Sequence, residues 1–182
     1  MQNPGIMPDK KMDACIQQIA DGEIAALEEL YGELRVPVYR IALSIVKSPD
    51  LAEDVAQETF LRLRESAQTY RPKGKPRAWI FSIVRNLAVS ELRQAVNTID
   101  ILELSEALEL SENPAEIEDL SLLDILTPAE KEIVTLHVLA DLKHSEIAKT
   151  LNIHYEQARW KYTYAIQKMK KHLEQKKGGR FN

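Results

Sequence analysis

Residues 145–160, Ser-Glu-Ile-Ala-Lys-Thr-Leu-Asn-Ile-His-Tyr-Glu-Gln-Ala-Arg-Trp, read as two helices joined by a tight turn, and that reading decides the fold class. Ile147, Ala148 and Leu151 share one face of a short helix, and Ile153 leads into a longer one. Ala148 lets two helices cross closely, Asn152 can take the left-handed turn conformation, and Ala158 turns the second helix inward. Residues 145–171 therefore fit a helix-turn-helix. Its second helix carries Arg159, Lys161, Lys168, Lys170 and Lys171, interleaved with Tyr155, Trp160, Tyr162 and Tyr164. Such cations neutralise phosphates and offer donors to base edges in a major groove. A basic helix that merely packs at the end of a bundle would carry the same residues.

Upstream the grammar is again helical. Ile24, Leu27, Leu30, Tyr31, Leu34, Val38, Ile41, Ala42 and Ile45 recur every three or four residues, with Pro37 as an expected kink. Ser48-Pro49 supplies a cap and a first-turn proline for a helix to about Ala67, acidic early and basic late. Residues 70–76, Tyr-Arg-Pro-Lys-Gly-Lys-Pro, form a loop before a helix from Arg77 to about Ala95. Asn113-Pro114-Ala115-Glu116 and Thr127-Pro128-Ala129-Glu130 are both helix starts of capping-box type. The expected architecture is all-α: an N-terminal three- to four-helix bundle over 1–95, an acidic linker over 96–113, a helix-turn-helix domain over 114–175 and a disordered tail over 176–182.

Composition agrees, with 45% hydrophobic but only 6% aromatic residues among 182, a balance that suits helices rich in Leu and Ile. The net charge of −4 argues against unassisted nucleic-acid binding until its distribution is considered. Residues 1–61 hold 5 basic and 11 acidic groups, and 62–93 hold 8 and 2. Residues 97–130 hold 10 acids and no Lys or Arg, whereas 154–182 return to 8 basic against 2 acidic. Two basic islands flank an acidic stretch, which implies two anion-facing surfaces on one chain. Cys15 is the single cysteine, so an intramolecular disulfide and a Cys-based zinc cluster are excluded. With no long apolar run, neither a membrane span nor a secretory signal is expected, and the chain reads as cytoplasmic.

Two further segments carry a family resemblance. Ala52-Glu53-Asp54-Val55-Ala56-Gln57-Glu58-Thr59-Phe60 resembles the core-polymerase-binding stretch of the extracytoplasmic-function sigma factors, A-E-D-x-x-Q-E-T-F. Arg77-Ala78-Trp79-Ile80 through Arg85-Asn86-Leu87-Ala88 resembles that family's promoter-melting helix, and 127–148 its C-terminal module. The resemblance implies a transcription initiation factor without cofactor, metal or small-molecule substrate. It implies that Asp54, Gln57 and Glu58 dock on the clamp helices of the largest core RNA polymerase subunit, with a further contact to the flap region. Tyr70, Arg71, Lys73, Lys75, Arg77, Arg85 and Asn86 would take the minus-ten element, with Tyr70 and Phe81 as stacking partners for flipped bases and Trp79 as a core anchor. Tyr155, Gln157, Arg159, Trp160, Lys161 and Lys168 would read the minus-thirty-five duplex, and an anti-sigma factor would hold the chain inactive. The turn departs from the family pattern. Asn152 replaces the usual glycine, His154 a capping serine, and Glu156 to Tyr162 a G-T-V-K-S-R-L run, while Lys143 stands where a serine usually caps the preceding helix.

An enzyme is disfavoured, because no phosphate loop, paired-His metal spacing or nucleophile motif surrounds His137, His144, His154 or His172. The serious rival is a stand-alone helix-turn-helix regulator whose N-terminal helices sense or dimerise. A purely protein-binding helical adaptor is a third class.

Overall fold

The computed structural model describes residues 7–72, 74–98 and 121–178. The described residues form helices and connecting turns: α1 (Asp9–Ala20), α2 (Ile24–Val46), α3 (Pro49–Ser66), α4 (Pro76–Thr98), α5 (Pro128–Val138), α6 (His144–Leu151) and α7 (Tyr155–Gly178). Residues 176–178, expected in a disordered tail, instead continue α7 to Gly178, and the expected linker beyond Thr98, the cap at 113–116, Lys73 and the tail end 179–182 lie outside the described residues.

The first helix is absent from the sequence reading, although its signal is present. Met12, Cys15, Ile16 and Ile19 recur at helical spacing and are all buried. In α2 the inward stripe is Leu30, Leu34, Val38, Ile41 and Ala42, and the helix runs through Pro37 as one element. Lys47 ends it in the left-handed conformation, φ 62°, with its N–H donating to the Leu43 carbonyl. Ser48 then caps α3, its hydroxyl accepting from Leu51 N at 3.4 Å. Ala52, Val55, Phe60 and Leu63 face back toward α2 and α4. Helix α4 buries Ile80, Phe81, Val84 and Ala88 and continues to Thr98, past the expected end, with no glycine or proline to stop it. Phe81 is 1% exposed, which corrects its assignment as a stacking platform for bases: the ring belongs to the core.

In the second group of helices Thr127 and Glu130 complete the expected capping box at α5. Asn152 adopts φ 52°, ψ 48°, and Ile153 N–H returns to the Ala148 carbonyl at 2.9 Å, so asparagine makes the left-handed turn expected of it. Glu146 accepts from the Lys143 amide and Gln157 from the His154 amide. Thus α6 and α7 are each capped from their third residue where the cap residue itself supplies no oxygen. Ala158 and Ala165 are fully buried, and Leu123, Leu126 and Val134 close a small satellite core with Ala165.

The main core does not stop at α4. It continues through Ile133, Leu136, Ala140, Leu142 and Ile147, because α5 packs on α2 and α6 lies against α4. At that seam burial and the neighbouring Lys131 ammonium push Lys47 down to about 8. Replacing Lys47 by glycine should relieve both the left-handed backbone and the repulsion, and raise stability by about 1 kcal/mol. A thermal melt giving a lower midpoint for Lys47→Gly would contradict this account of the seam.

Candidate nucleic-acid and polymerase interface

On the outer side of the first bundle, α3 and α4 diverge to leave an open cleft of about 470 Å³. Asp54, Gln57, Glu58 and Glu91 rim it, and Val55, Leu61 and Leu87 form its apolar lining. Leu61 is 54% exposed, an unusual display for leucine. Glu58 pairs with Arg62 at 2.7 Å, an exposed i,i+4 pair worth about 0.3–0.5 kcal/mol. The α3 heptad puts Val55, Thr59 and Leu63 inward, which turns Asp54, Gln57 and Glu58 toward the cleft. An acidic rim over an apolar lining suits a partner that brings basic side chains on helices.

The basic loop and α4 carry the next set. Arg71, Lys75 and Asn86 are exposed and Arg85 is half-buried. Tyr70 and Arg77, expected at the DNA surface, are instead turned inward. Tyr70 is 8% exposed, its hydroxyl donates to Asp13 of α1, and its ring lies 4.6 Å from that of Trp79. Burial, then the Asp13 carboxylate, pushes the Tyr70 phenol well above its ordinary value. The Arg77 guanidinium is surrounded by Asp9 at 3.0 Å, Asp141 at 2.8 Å and the Met7 carbonyl. Both side chains therefore fix the loop from behind. Their partners Asp9 and Asp13 escaped the sequence reading because α1 did. Burial raises the Asp9 carboxyl, with Arg77 opposing that shift.

The helix-turn-helix presents Tyr155, Gln157, Arg159 and Trp160 outward, opposite the buried Ala158 and Ala165. Trp160, 62% exposed, stacks on Tyr164 with the rings 5.3 Å apart and 6° from parallel. Lys161 is half-buried. Lys168 does not join this face: its ammonium bridges both oxygens of Glu130, at 3.0 and 2.9 Å, and sits over the Tyr164 ring. Burial favours the neutral Glu130, yet Lys168 and the Thr127 hydrogen bonds hold its carboxyl below the ordinary value. Lys168 is thus a tie between α5 and α7.

Beneath this face His137 and His144 stack at 4.7 Å, with Tyr162 edge-on to both. His137 Nδ1 donates to the Leu142 carbonyl at 2.8 Å, whereas His144 Nε2 is buried without a hydrogen-bond partner. Burial, then His137 and Arg159, holds His144 below the ordinary imidazole range. Its unfolded form binds a proton more readily, so stability should fall as pH drops below about 6.5 toward the folded value. His144→Gln should flatten that fall in urea midpoints measured between about pH 7.5 and 5.5. An unchanged slope would remove His144 from the explanation.

Comparison with known proteins fits this arrangement. Residues 30–98 match the model of Sigma-70 region 2, and residues 120–159 that of Sigma-70 region 4. The chain belongs to the extracytoplasmic-function sigma factors. It is 33% identical over 153 residues to the ECF RNA polymerase sigma factor BldN of Streptomyces coelicolor, covering 78% of this chain and 58% of BldN. It is 27% identical over 135 residues to SigM of Bacillus subtilis, covering 70% and 82%. SigK of Mycobacterium sp. (strain KMS) is 30% identical over 83 residues, with 43% of its length spanned. Among solved structures the sigma fold recurs in CnrH in complex with the cytosolic domain of CnrY (TM-score 0.65, 22% identity, 90% and 97% covered). It recurs in RpoE with the anti-sigma factor NepR from Bartonella quintana (TM-score 0.64, 16% identity, 81% and 96% covered). In this sigma factor the α3–α4 cleft and basic loop fall in the region 2 match, and the turn at Asn152 in the region 4 match. No helix among the described residues is long and apolar enough to cross a membrane.

Proposed function

We propose that the chain is a cytoplasmic transcription initiation factor, with no catalysis of its own, that binds core RNA polymerase and directs it to a promoter with two elements. The observation that carries this is one bundle bearing both the acidic cleft at Asp54, Gln57 and Glu58 and, on the adjoining loop and α4, the cations Arg71, Lys75 and Arg85 beside Asn86. The cleft takes the basic clamp helices. Exposed cations track the displaced strand, Asn86 offers donor and acceptor to an unpaired base, and Tyr70 and Arg77 hold the loop. Lys73, next in the same loop, belongs to this set by its charge. Tyr155, Gln157, Arg159, Trp160 and Lys161 face the minus-thirty-five duplex, with Lys168 supporting the helix. The acidic segment that follows α4, to residue 113, divides an N-terminal polymerase and melting domain from a C-terminal reader that runs to the end of α7. An anti-sigma protein holding both domains, as NepR and CnrY accompany the related structures, supplies the control.

Run-off transcription on genomic promoter regions tests the reading. Purified chain with core polymerase should start transcripts at defined sites, and neither alone should. Specific binding to duplex operator DNA without polymerase, and no transcript with it, would favour the stand-alone regulator.

A further inference from the structure

Gln157, Arg159 and Trp160 stand side by side on the outward surface of the first two turns of α7. Ala158 and Ala165, both fully buried, mark the inward pole of that helix. At about 100° per residue, Trp160 lies about 200° round from Ala158, flanked by Arg159 at about 100° and Gln157 at about 260°. The exposed indole is nonetheless held. It lies parallel to the Tyr164 ring, and the Lys168 ammonium sits 4.8 Å from the centroid of that ring. Lys168 is tied in turn to Glu130, whose carboxylate closes the capping box of α5. A chain of contacts starting in α5 therefore sets the position of the indole, so little side-chain freedom is lost when it meets a partner.

Gln157 is committed as well. Its Oε1 accepts from the His154 amide at 3.3 Å, which holds the oxygen at the helix start and leaves Nε2 to donate to a ligand. Residues three apart are neighbours on a helix surface, so Gln157 and Trp160 together present a hydrogen-bond donor beside an apolar plate. Each base pair shows a distinct edge in the major groove, and thymine is the base that sets an acceptor, O4, beside a methyl group. Paired recognition of adenine by glutamine uses the oxygen that here serves the cap, and cytosine offers a donor where a donor already stands. Guanine, with two acceptors, suits the neighbouring Arg159. We propose that Gln157 and Trp160 read one thymine of the minus-thirty-five duplex, the amide donating to O4 and the indole covering the C5 methyl. Tyr164, Lys168 and Glu130 are positioning residues for that contact. The assignment rests on the proposed role of α7 as the duplex-facing helix and adds to it the base that is read.

The test measures binding of core polymerase loaded with the full chain to promoter duplexes found by run-off transcription. Each thymine of the minus-thirty-five element, on either strand, is replaced in turn by deoxyuridine, a change that removes only the methyl group. At one position the wild type should lose affinity about fourfold, the worth of one buried carbon. Trp160→Ala should weaken binding to the thymine duplex by at least as much and abolish the difference between thymine and uracil, whereas Trp160→Phe should keep most of it. Gln157→Glu retains a capping oxygen and removes the donor, so the preference at that base pair should move from thymine toward cytosine. Tyr164→Ala, at a position 43% exposed, should shrink the thymine-to-uracil ratio in a chain that stays folded. If no position responds in the wild type, or the response survives Trp160→Ala, the proposal falls while the promoter reading stands. If the loaded polymerase starts transcription at no promoter, the role given to α7 fails and the proposal fails with it.

Discussion

Reversing charge at the cleft, with Asp54→Arg and Glu58→Arg together, should weaken binding to core polymerase at least thirtyfold and abolish run-off transcription. Truncating or opposing a charge at a desolvated interface costs about 2–5 kcal/mol, against well under 1 kcal/mol for one left in water. Asp54 is exposed and Glu58 40% exposed on its side chain, so the free chain loses little beyond the Arg62 pair. Its thermal midpoint should stay close to that of the wild type while co-elution with core enzyme disappears. Retained co-elution would move the polymerase contact away from α3.

The second large effect concerns folding. Phe81→Ala should destabilise the chain by about 3–5 kcal/mol, because the ring is 1% exposed and deleting it leaves a cavity among α4 and its neighbours. Denaturant unfolding measures the loss. An almost unchanged midpoint, with a selective defect in open-complex formation, would return Phe81 to the role of a base-stacking platform. Asn86→Ala is the natural companion: exposed on the same helix, it should leave stability within about 0.5 kcal/mol and affect only promoter opening.

Much of the fold was legible because its signals are local. The capping box at Thr127, the Ser48-Pro49 start and the left-handed Asn152 are each decided by residues within a turn of one another. Helix α1 was equally local and was missed, since its first turn holds Asp9, Lys10 and Lys11 and its apolar stripe is short. The interface was legible only as a pool of residue types. A basic loop advertises anion binding, but whether Tyr70 or Arg77 points out or in depends on Asp13 and Asp9, some sixty residues earlier. Lys168 looked like its neighbours Lys170 and Lys171, and only the fold brings Glu130 beneath it. Pairing at a distance leaves no period in a sequence.

The two tryptophans also divide the labour of observation. Trp79 is partly buried against Tyr70 beside the basic loop, and Trp160 stands 62% exposed on α7. Each helical group thus carries its own intrinsic fluorophore, one in an apolar setting and one in water. Blue-edge emission follows the loop and red-edge emission α7, so unlabelled protein can report which end responds first as polymerase and DNA are added in turn.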